Sequence, residues 1–486
     1  MKHINIRRKC GVYIGEKKGV FNNILRLLGI DRSVVVPNNY SGPLAAIGGS
    51  GSGKTSGVVL NTLCRTCKDG HFFAVDLKGD LLERYAEANP RDKVKVFSLR
   101  GGTEYTYEPF DLIRSDGEDN LVSNMRELVN ALLPIPANHR DDFWIKSARE
   151  YLTAGLLYYY DMGLSFIDSV MNIMTTPPAS LIRKIEELAK PEVRSFINNF
   201  LGDTDLSDCK LLVGVCQEIT NRLSVIANDP RVRRALSPSE KRIQWTDLEI
   251  FNIFLSVPED RLEQYGPLIS MIITQLIRSL ERRHEMHSKA GARQGRVLLV
   301  LDEFPRLGKL DVIASAVSTL RSKNVTICLV FQSLAQLDAV YGRDIRKIIL
   351  DCCSYVAVLN VNEVESQKYF SDRAGTRLVE RESKSTNYDP PKKATSYSKL
   401  RSKQYEAAIQ PHAFATSKDI LLFTPNGYTR VKKSPYHETD TITKLRRGIN
   451  RIFYTVGKVV GKVSAIAKSF FSFCFGRKRR SVRGYV

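Results

Sequence analysis

The run Gly48-Gly49-Ser50-Gly51-Ser52-Gly53-Lys54-Thr55 constrains this chain more than any other stretch, because it matches G-x-x-x-x-G-K-[ST] in full. Such a loop needs one setting, with a buried strand entering it and a helix leaving it. Both flanks comply. Pro43-Leu44-Ala45-Ala46-Ile47 is short, apolar and bounded by Pro and Gly, and Ser56 to Cys67 reads as helix. The glycines let the backbone wrap so that its N–H groups point at phosphate oxygens, and the helix N-terminus adds its positive dipole. Lys54 supplies a point charge to the β- and γ-phosphates of ATP, and Thr55 offers a hydroxyl to Mg2+. Gly48 to Thr55 are thus the expected nucleotide-binding residues.

The surrounding pattern sets the fold class. His71-Phe72-Phe73-Ala74-Val75 is a second buried strand, followed by Asp76-Leu77-Lys78-Gly79-Asp80 and a helix. Strand, loop, helix and strand in this order open a parallel, doubly wound α/β sheet. From Asp119 to Leu236 the period changes to 3.6, with helices predicted over Asn120–Leu133, Asp142–Tyr160, Pro178–Phe200 and Lys210–Asn228. An all-α insertion is expected there. Strand signals return at Ile253–Val257, Val297–Leu301, Val325–Phe331 and Ser354–Leu359, with a helix predicted over Tyr265–Arg283. Glu380 to Lys403, rich in Ser and Lys, is expected to be a mobile loop. The division expected is an N-terminal segment without a transmembrane helix (1–41), a nucleotide-binding domain in two parts (42–118 and 237–440), the all-α insertion (119–236) and a basic amphipathic tail (441–486).

A partner for the loop lies about 250 residues on, where Val297-Leu298-Leu299-Val300-Leu301 ends on Asp302-Glu303. A carboxylate at the end of a buried strand beside such a loop helps hold Mg2+, and its neighbour orients or deprotonates the attacking water. Asp302 is assigned to the metal and Glu303 to the water. Gln332 ends the next strand, where an amide can sense the γ-phosphate; the plain alternative is a polar strand terminus. Arg321 precedes that strand and is a candidate arginine finger for a neighbouring subunit, or simply a solvated cation. His284 and His287 have ligand-like spacing but sit at a basic helix end, where surface histidines are the simpler reading. Cys64 and Cys67 read as small apolar helix residues rather than half of a zinc site.

Charge narrows the partners. The net charge is +21, from 73 Lys and Arg against 52 Asp and Glu, which favours polyanions. Twelve cations and no acid follow Asp440, which leaves 61 cations against 52 acids in the body. Within the tail, Ile452, Val456, Val459, Val463, Ile466 and Phe470 recur at helical spacing between basic clusters, the pattern of an interfacial membrane helix; the alternative is a helix packed on the body or on another subunit. The start, MKHINIRRKCGVYIG, carries no secretory signal, and no apolar run reaches about 18 residues. Nine scattered cysteines fit a reducing cytoplasm.

Taken together, these stretches resemble the coupling ATPases of type IV secretion systems, the TraG/TraD class of conjugation proteins. The resemblance rests on Gly11-Val12-Tyr13-Ile14-Gly15, the phosphate loop, Val75 to Leu81 (with Leu77 where the family usually has Pro) and Asp142-Phe143-Trp144. It rests most on Leu301-Asp302-Glu303-Phe304-Pro305-Arg306-Leu307-Gly308-Lys309-Leu310, with Phe331 to Leu337, Tyr341-Gly342 and Tyr369 to Gly375 following. It implies a RecA-like P-loop domain with an inserted all-α domain, and a ring of six identical subunits. It also implies a relaxase-bound single DNA strand, handed with ATP hydrolysis to secretion-channel proteins. The family's catalytic lysine falls on Lys54, its acidic pair on Asp302 and Glu303, its glutamine on Gln332 and its trans arginine on Arg321. The family normally begins with transmembrane helices, whereas here the family-like region begins almost at Met1. The tail is therefore expected to attach the chain peripherally to the inner face of the cell membrane. Two other readings stay open: a docking hub for protein-only cargo with little ATPase activity, and another ring-shaped DNA translocase.

Overall fold

In the computed structural model, residues 11–19, 24, 31–37, 42–66, 70–135, 142–202, 209–291, 294–389, 394–438 and 445 are described. Continuous apolar runs mark strands covered on both faces, and the interior of the sheet is built from them. In chain order the strands are Gly11–Glu16 (β1), Ser33–Pro37 (β2), Gly42–Ile47 (β3), Gly70–Asp76 (β4), Val94–Ser98 (β5) and Asn252–Ser256 (β6). They continue with Arg296–Leu301 (β7), Val325–Phe331 (β8), Tyr355–Val358 (β9), Thr376–Asp389 (β10), Ala394–Ala407 (β11), Asp419–Thr424 (β12) and Gly427–Lys432 (β13).

Eleven strands form one sheet in the order β2-β1-β13-β12-β9-β3-β8-β7-β4-β6-β5. The seven from β9 to β5 run parallel, as expected. The edge formed by β12, β13, β1 and β2 is antiparallel, an extension the sequence pattern did not announce. Alternate residues of each strand feed two cores. Ala45 and Ile47 join a large cluster on one face, and Leu44 and Ala46 join a smaller one on the other. The helical run Lys54–Val59 and Thr62–Thr66, with helix Asp80–Ala88, covers the smaller core.

Between β5 and β6 every described element is helical: Pro109–Ser115, Leu121–Leu132, Phe143–Asp161, Phe166–Thr175, Pro178–Leu188, Pro191–Leu201, Cys209–Asn228 and Pro230–Leu236, besides the 3-10 turns Glu118–Asn120 and Trp245–Glu249. Val129, Leu152 and Leu223 of these helices share one apolar cluster with Phe73, Leu255 and Leu299 of the sheet. The helix expected over 178–200 is two helices. Pro191 has no N–H to give and disfavours helical backbone at Lys190, which lies at φ −64°, ψ 153°.

A larger departure is the segment 380–403, expected to be mobile. It lies in a two-stranded antiparallel hairpin, with β10 and β11 in register from Thr376↔Ala407 to Asp389↔Ala394. Low apolar content argues against a buried strand, yet this ladder needs no core. Glu380 faces Lys403 and Glu382 faces Arg401 across it, and Arg381 Nε donates to Glu406 at 2.8 Å. Opposite charges directly across a ladder favour the pairing. The amphipathic pattern of the tail lies outside the described residues.

Candidate active site

β3 runs straight into the glycine-rich loop. Gly51 and Gly53 have φ of +72° and +94°, values that a side chain resists, so glycine is required at both. The helix that follows is wound unusually wide, with the Leu60 N–H donating to the Thr55 carbonyl five residues back. π-type turns of this kind cluster at functional sites.

The strand order puts β8 between β3 and β7. β3 pairs Ile47 with Phe331, and β7 pairs Leu301 with Leu329. Parallel strands end together, so Gln332 emerges between the glycine loop and the acidic pair. Asp302 is 6% exposed, and its Oδ2 accepts a hydrogen bond from Thr55 Oγ1 at 2.7 Å. Gln332 Nε2 donates to Glu303 at 3.1 and 3.3 Å from its two carboxylate oxygens. Lys54, 5% exposed, donates from Nζ to the carbonyls of Gly48 at 2.5 Å and Gly49 at 3.1 Å.

Burial drives the electrostatics of this group. It pushes the Asp302 carboxyl up to about 6; the Thr55 hydrogen bond opposes the rise and the charge of Glu303 adds to it. Burial likewise lowers the Lys54 ammonium, against the pull of Glu303 and Asp302. A buried carboxylate kept short of full neutralisation is a natural partner for a hard cation.

These residues line one cavity of about 400 Å³. A nucleoside triphosphate with Mg2+ fits what is present. Ser52 Oγ is buried with no hydrogen-bond partner, and the position a Cβ would take at Gly51 meets open space. Thr55 and Asp302 supply the paired oxygens that Mg2+ prefers. Lys54, Thr55, Asp302, Glu303 and Gln332 therefore converge on one cavity.

Arg321 does not join them. It is exposed on the turn Leu320–Lys323 before β8, at the end of that strand opposite Gln332, and is not part of the cavity wall. His284 and His287 are exposed beyond the end of helix Gly266–Glu281, and no cluster of metal-ligating side chains occurs among the described residues. Cys64 is buried in the smaller core, and Cys67 lies outside the described residues.

Several lining residues carried no assigned role in the sequence. Asp76 is fully buried and accepts the N–H groups of Gly79 at 2.8 Å and Leu82 at 3.0 Å, so it shapes the loop that presents Lys78 to the cavity. Arg306 Nη1 donates to Glu259 at 2.9 Å and holds that carboxyl below its ordinary range. Glu303 itself sits in left-handed backbone at φ +51°, ψ +40°. The next residue, Phe304, is fully buried and stacks on Tyr341 with centroids 5.2 Å apart and planes 13° from parallel. The Tyr341 hydroxyl accepts from Leu310 N at 3.3 Å and reaches the Gly308 carbonyl at 3.4 Å. The Phe304-to-Leu310 loop is thereby clamped, and an uncommon backbone is imposed on Glu303.

The family described as Type IV secretory system Conjugative DNA transfer matches residues 38–456. Protein VirD4 of Rhizobium radiobacter is 25% identical over 408 residues, which cover 81% of this chain and 57% of that protein. The chain spans about half the length of the curated relatives it matches. Among solved structures, the plasmid coupling protein TrwB in complex with the non-hydrolysable ATP analogue ADPNP aligns with a TM-score of 0.62 at 18% identity, over 82% of this chain and 86% of that one. TrwB in complex with ADP and Mg2+ gives 0.60 at 19% identity, over 82% and 85%. These likenesses establish the RecA-like α/β P-loop fold.

Proposed function

The chain belongs to the Type IV secretory system Conjugative DNA transfer family, and from that membership we propose that it is a coupling ATPase that feeds relaxase-bound DNA to a secretion channel. One observation carries the ATPase part of this reading: Thr55 and Asp302, 247 residues apart, meet at 2.7 Å in the cavity that also holds Lys54, Glu303 and Gln332.

Each side chain has a task there. Thr55 and Asp302 would hold Mg2+, which neutralises phosphate charge when bound. Lys54 exchanges its two loop carbonyls for phosphate oxygens. Glu303 takes the proton of the attacking water, and Gln332 keeps that carboxylate aimed while sensing the γ-phosphate. Arg321 serves the cavity of the next subunit, which requires a ring; six copies are the family's arrangement. The TrwB complexes with ADPNP and with ADP and Mg2+ support the choice of nucleotide and metal.

DNA as cargo is supported by the body's excess of cations, 61 against 52 acids before the tail, since each phosphate contact releases counterions and needs no base-specific reading. Residues 119–236 act as the all-α insertion, and residues 42–118 with 237–440 form the motor. Among the described residues no helix is long and apolar enough to cross a membrane. The basic tail, 441–486, is assigned to the anionic inner face of the cell membrane.

The test is ATP hydrolysis by the purified chain with and without single- and double-stranded DNA, beside Lys54→Ala. Stimulation by DNA that vanishes in the variant is the expected result. Hydrolysis indifferent to DNA would count against DNA as cargo, and turnover that survives Lys54→Ala would refute the site.

A further inference from the structure

The chain does not leave the fold where β13 ends. Lys433 reaches the side chain of Asn360, whose backbone carbonyl accepts the Gly49 N–H at 2.5 Å. The Ser434 carbonyl accepts from Asn61 Nδ2 at 3.0 Å, and the same amide bonds the Gly57 carbonyl at 2.8 Å. Asn61 is fully buried on the phosphate-loop helix. Two residues further, Tyr436 is 6% exposed within the smaller core, with the Arg65 guanidinium 5.5 Å from its ring centroid. The segment is thus tied to the glycine loop through Asn360 and to the second half of its helix at two points.

This strap completes the cavity wall. Tyr436 and the exposed His437 line it together with Leu60, Leu81 and Arg84. Asn61 and Arg65 lie roughly 10 and 16 Å along the helix from Lys54 at about 1.5 Å per residue. A nucleotide whose phosphates lie at Lys54 must place its sugar and base elsewhere in the same cavity. The wall offers a planar imidazole, two leucine side chains and a guanidinium, which suits a flat heteroaromatic ring. The acidic pair and Gln332 offer nothing of the kind.

We propose that the strap after β13 is the base-binding end of the nucleotide site, with His437 contacting the purine face and Tyr436 acting as the positioning residue that fixes the strap. The proposal rests on the reading that the cavity holds Mg-ATP. It adds a specificity-determining contact from a part of the chain that no phosphate-loop motif predicts.

Calorimetric titration of the full chain with Mg-ATP and with Mg-tripolyphosphate, which has phosphates but no base, separates the two readings. His437→Ala truncates an exposed side chain. It is expected to weaken ATP about tenfold, the scale of one base-stacking contact, while tripolyphosphate binds as in the parent chain. Equal effects of His437→Ala on both ligands, or no effect on ATP, would overturn the base-end assignment and leave the phosphate site standing. If Lys54→Ala changes neither ligand, the phosphate reading fails and the base end falls with it.

Discussion

The Thr55 hydroxyl donates to Asp302 Oδ2 at 2.7 Å, and this bond joins the start of the phosphate-loop helix to the end of a strand two places away in the sheet. The hydrogen bond only partly offsets what burial does to the carboxyl, which titrates near 6 instead of 3.8. A raised carboxyl contributes stability that is fully present below about 3.8 and lost as pH rises through about 6. At neutral pH the ionised Asp302 is therefore a cost, of up to about 3 kcal/mol for a displacement of two pH units.

Asp302→Asn removes that cost. Its melting temperature in metal-free buffer at pH 7.5 is expected to exceed the parent's by a few degrees. Added Mg-ATP should raise the parent's melting temperature and raise the variant's little or not at all. Scanning fluorimetry with and without Mg-ATP reads both effects, and a lower melting temperature in the metal-free variant would contradict the account.

Glu303 and Gln332 act as a pair at 3.1 Å, held in line by the clamp of Phe304 on Tyr341. Neither is needed to grip phosphates, so their removal should separate binding from turnover. Glu303→Gln is expected to lower kcat by roughly 10²- to 10⁴-fold, as for loss of a general base, with the Kd for Mg-ATP within a few-fold of the parent. Gln332→Ala should show a smaller loss of kcat and the same unchanged Kd. A Kd that rises in step with the loss of kcat would show that the pair binds substrate instead.

The glycine loop and the acidic strand were legible because each is a short run whose chemistry tolerates few residue types. The central parallel strands were legible because their continuous apolar runs are long enough to see. The antiparallel edge was not. Gly11–Glu16 is fully buried but carries two glycines and an acid, and Gly427–Lys432 is exposed at most positions, so neither shows an apolar run. The β10–β11 hairpin has the sequence pattern of a loop because its ladder is held by backbone bonds and cross-strand charge pairs, which hydropathy does not register. Tyr341, His437 and Lys78 were invisible as site residues because their places depend on a kink at Gly342, a strap after β13 and a turn at Gly79.

Asp229 gives a pH signature away from the cavity. It caps helix Pro230–Leu236 by accepting from Arg231 N at 2.8 Å, and it also accepts from the Tyr265 hydroxyl at 2.7 Å. Burial alone would raise its carboxyl, but these hydrogen bonds and the Arg231 side chain outweigh that and bring it to about 2. A depressed carboxyl stabilises the fold above about 3.8, and that contribution is lost as pH falls through about 2. Asp229→Ala should therefore cost about 1 to 2 kcal/mol at pH 7, the usual scale for a lost helix cap. The gap should narrow between pH 4 and pH 2.5. Urea unfolding of both proteins across that range measures it, and a gap independent of pH would mean that packing, not charge, is what the variant loses.

Arg321 sits at the N-terminal end of β8 and Gln332 just past its C-terminal end, so about 23 Å of strand separates them at 3.3 Å per residue. No side chain spans that distance, so within one subunit Arg321 cannot touch the phosphates that Lys54 would hold. A role in hydrolysis therefore demands a second copy whose turn Leu320–Lys323 faces the first copy's cavity. Arg321→Ala should then bind Mg-ATP as the parent does while kcat falls by roughly 10³-fold or more, as for a trans arginine. Lys54→Ala should be equally inactive for the opposite reason, since it keeps the arginine and loses the phosphate grip. Mixing the two inactive proteins before assembly places intact Arg321 turns against intact cavities at some interfaces. ATPase activity should reappear and peak near equal proportions. No recovery at any ratio, with assembly confirmed by light scattering, would remove Arg321 from the mechanism and leave it a solvated surface cation.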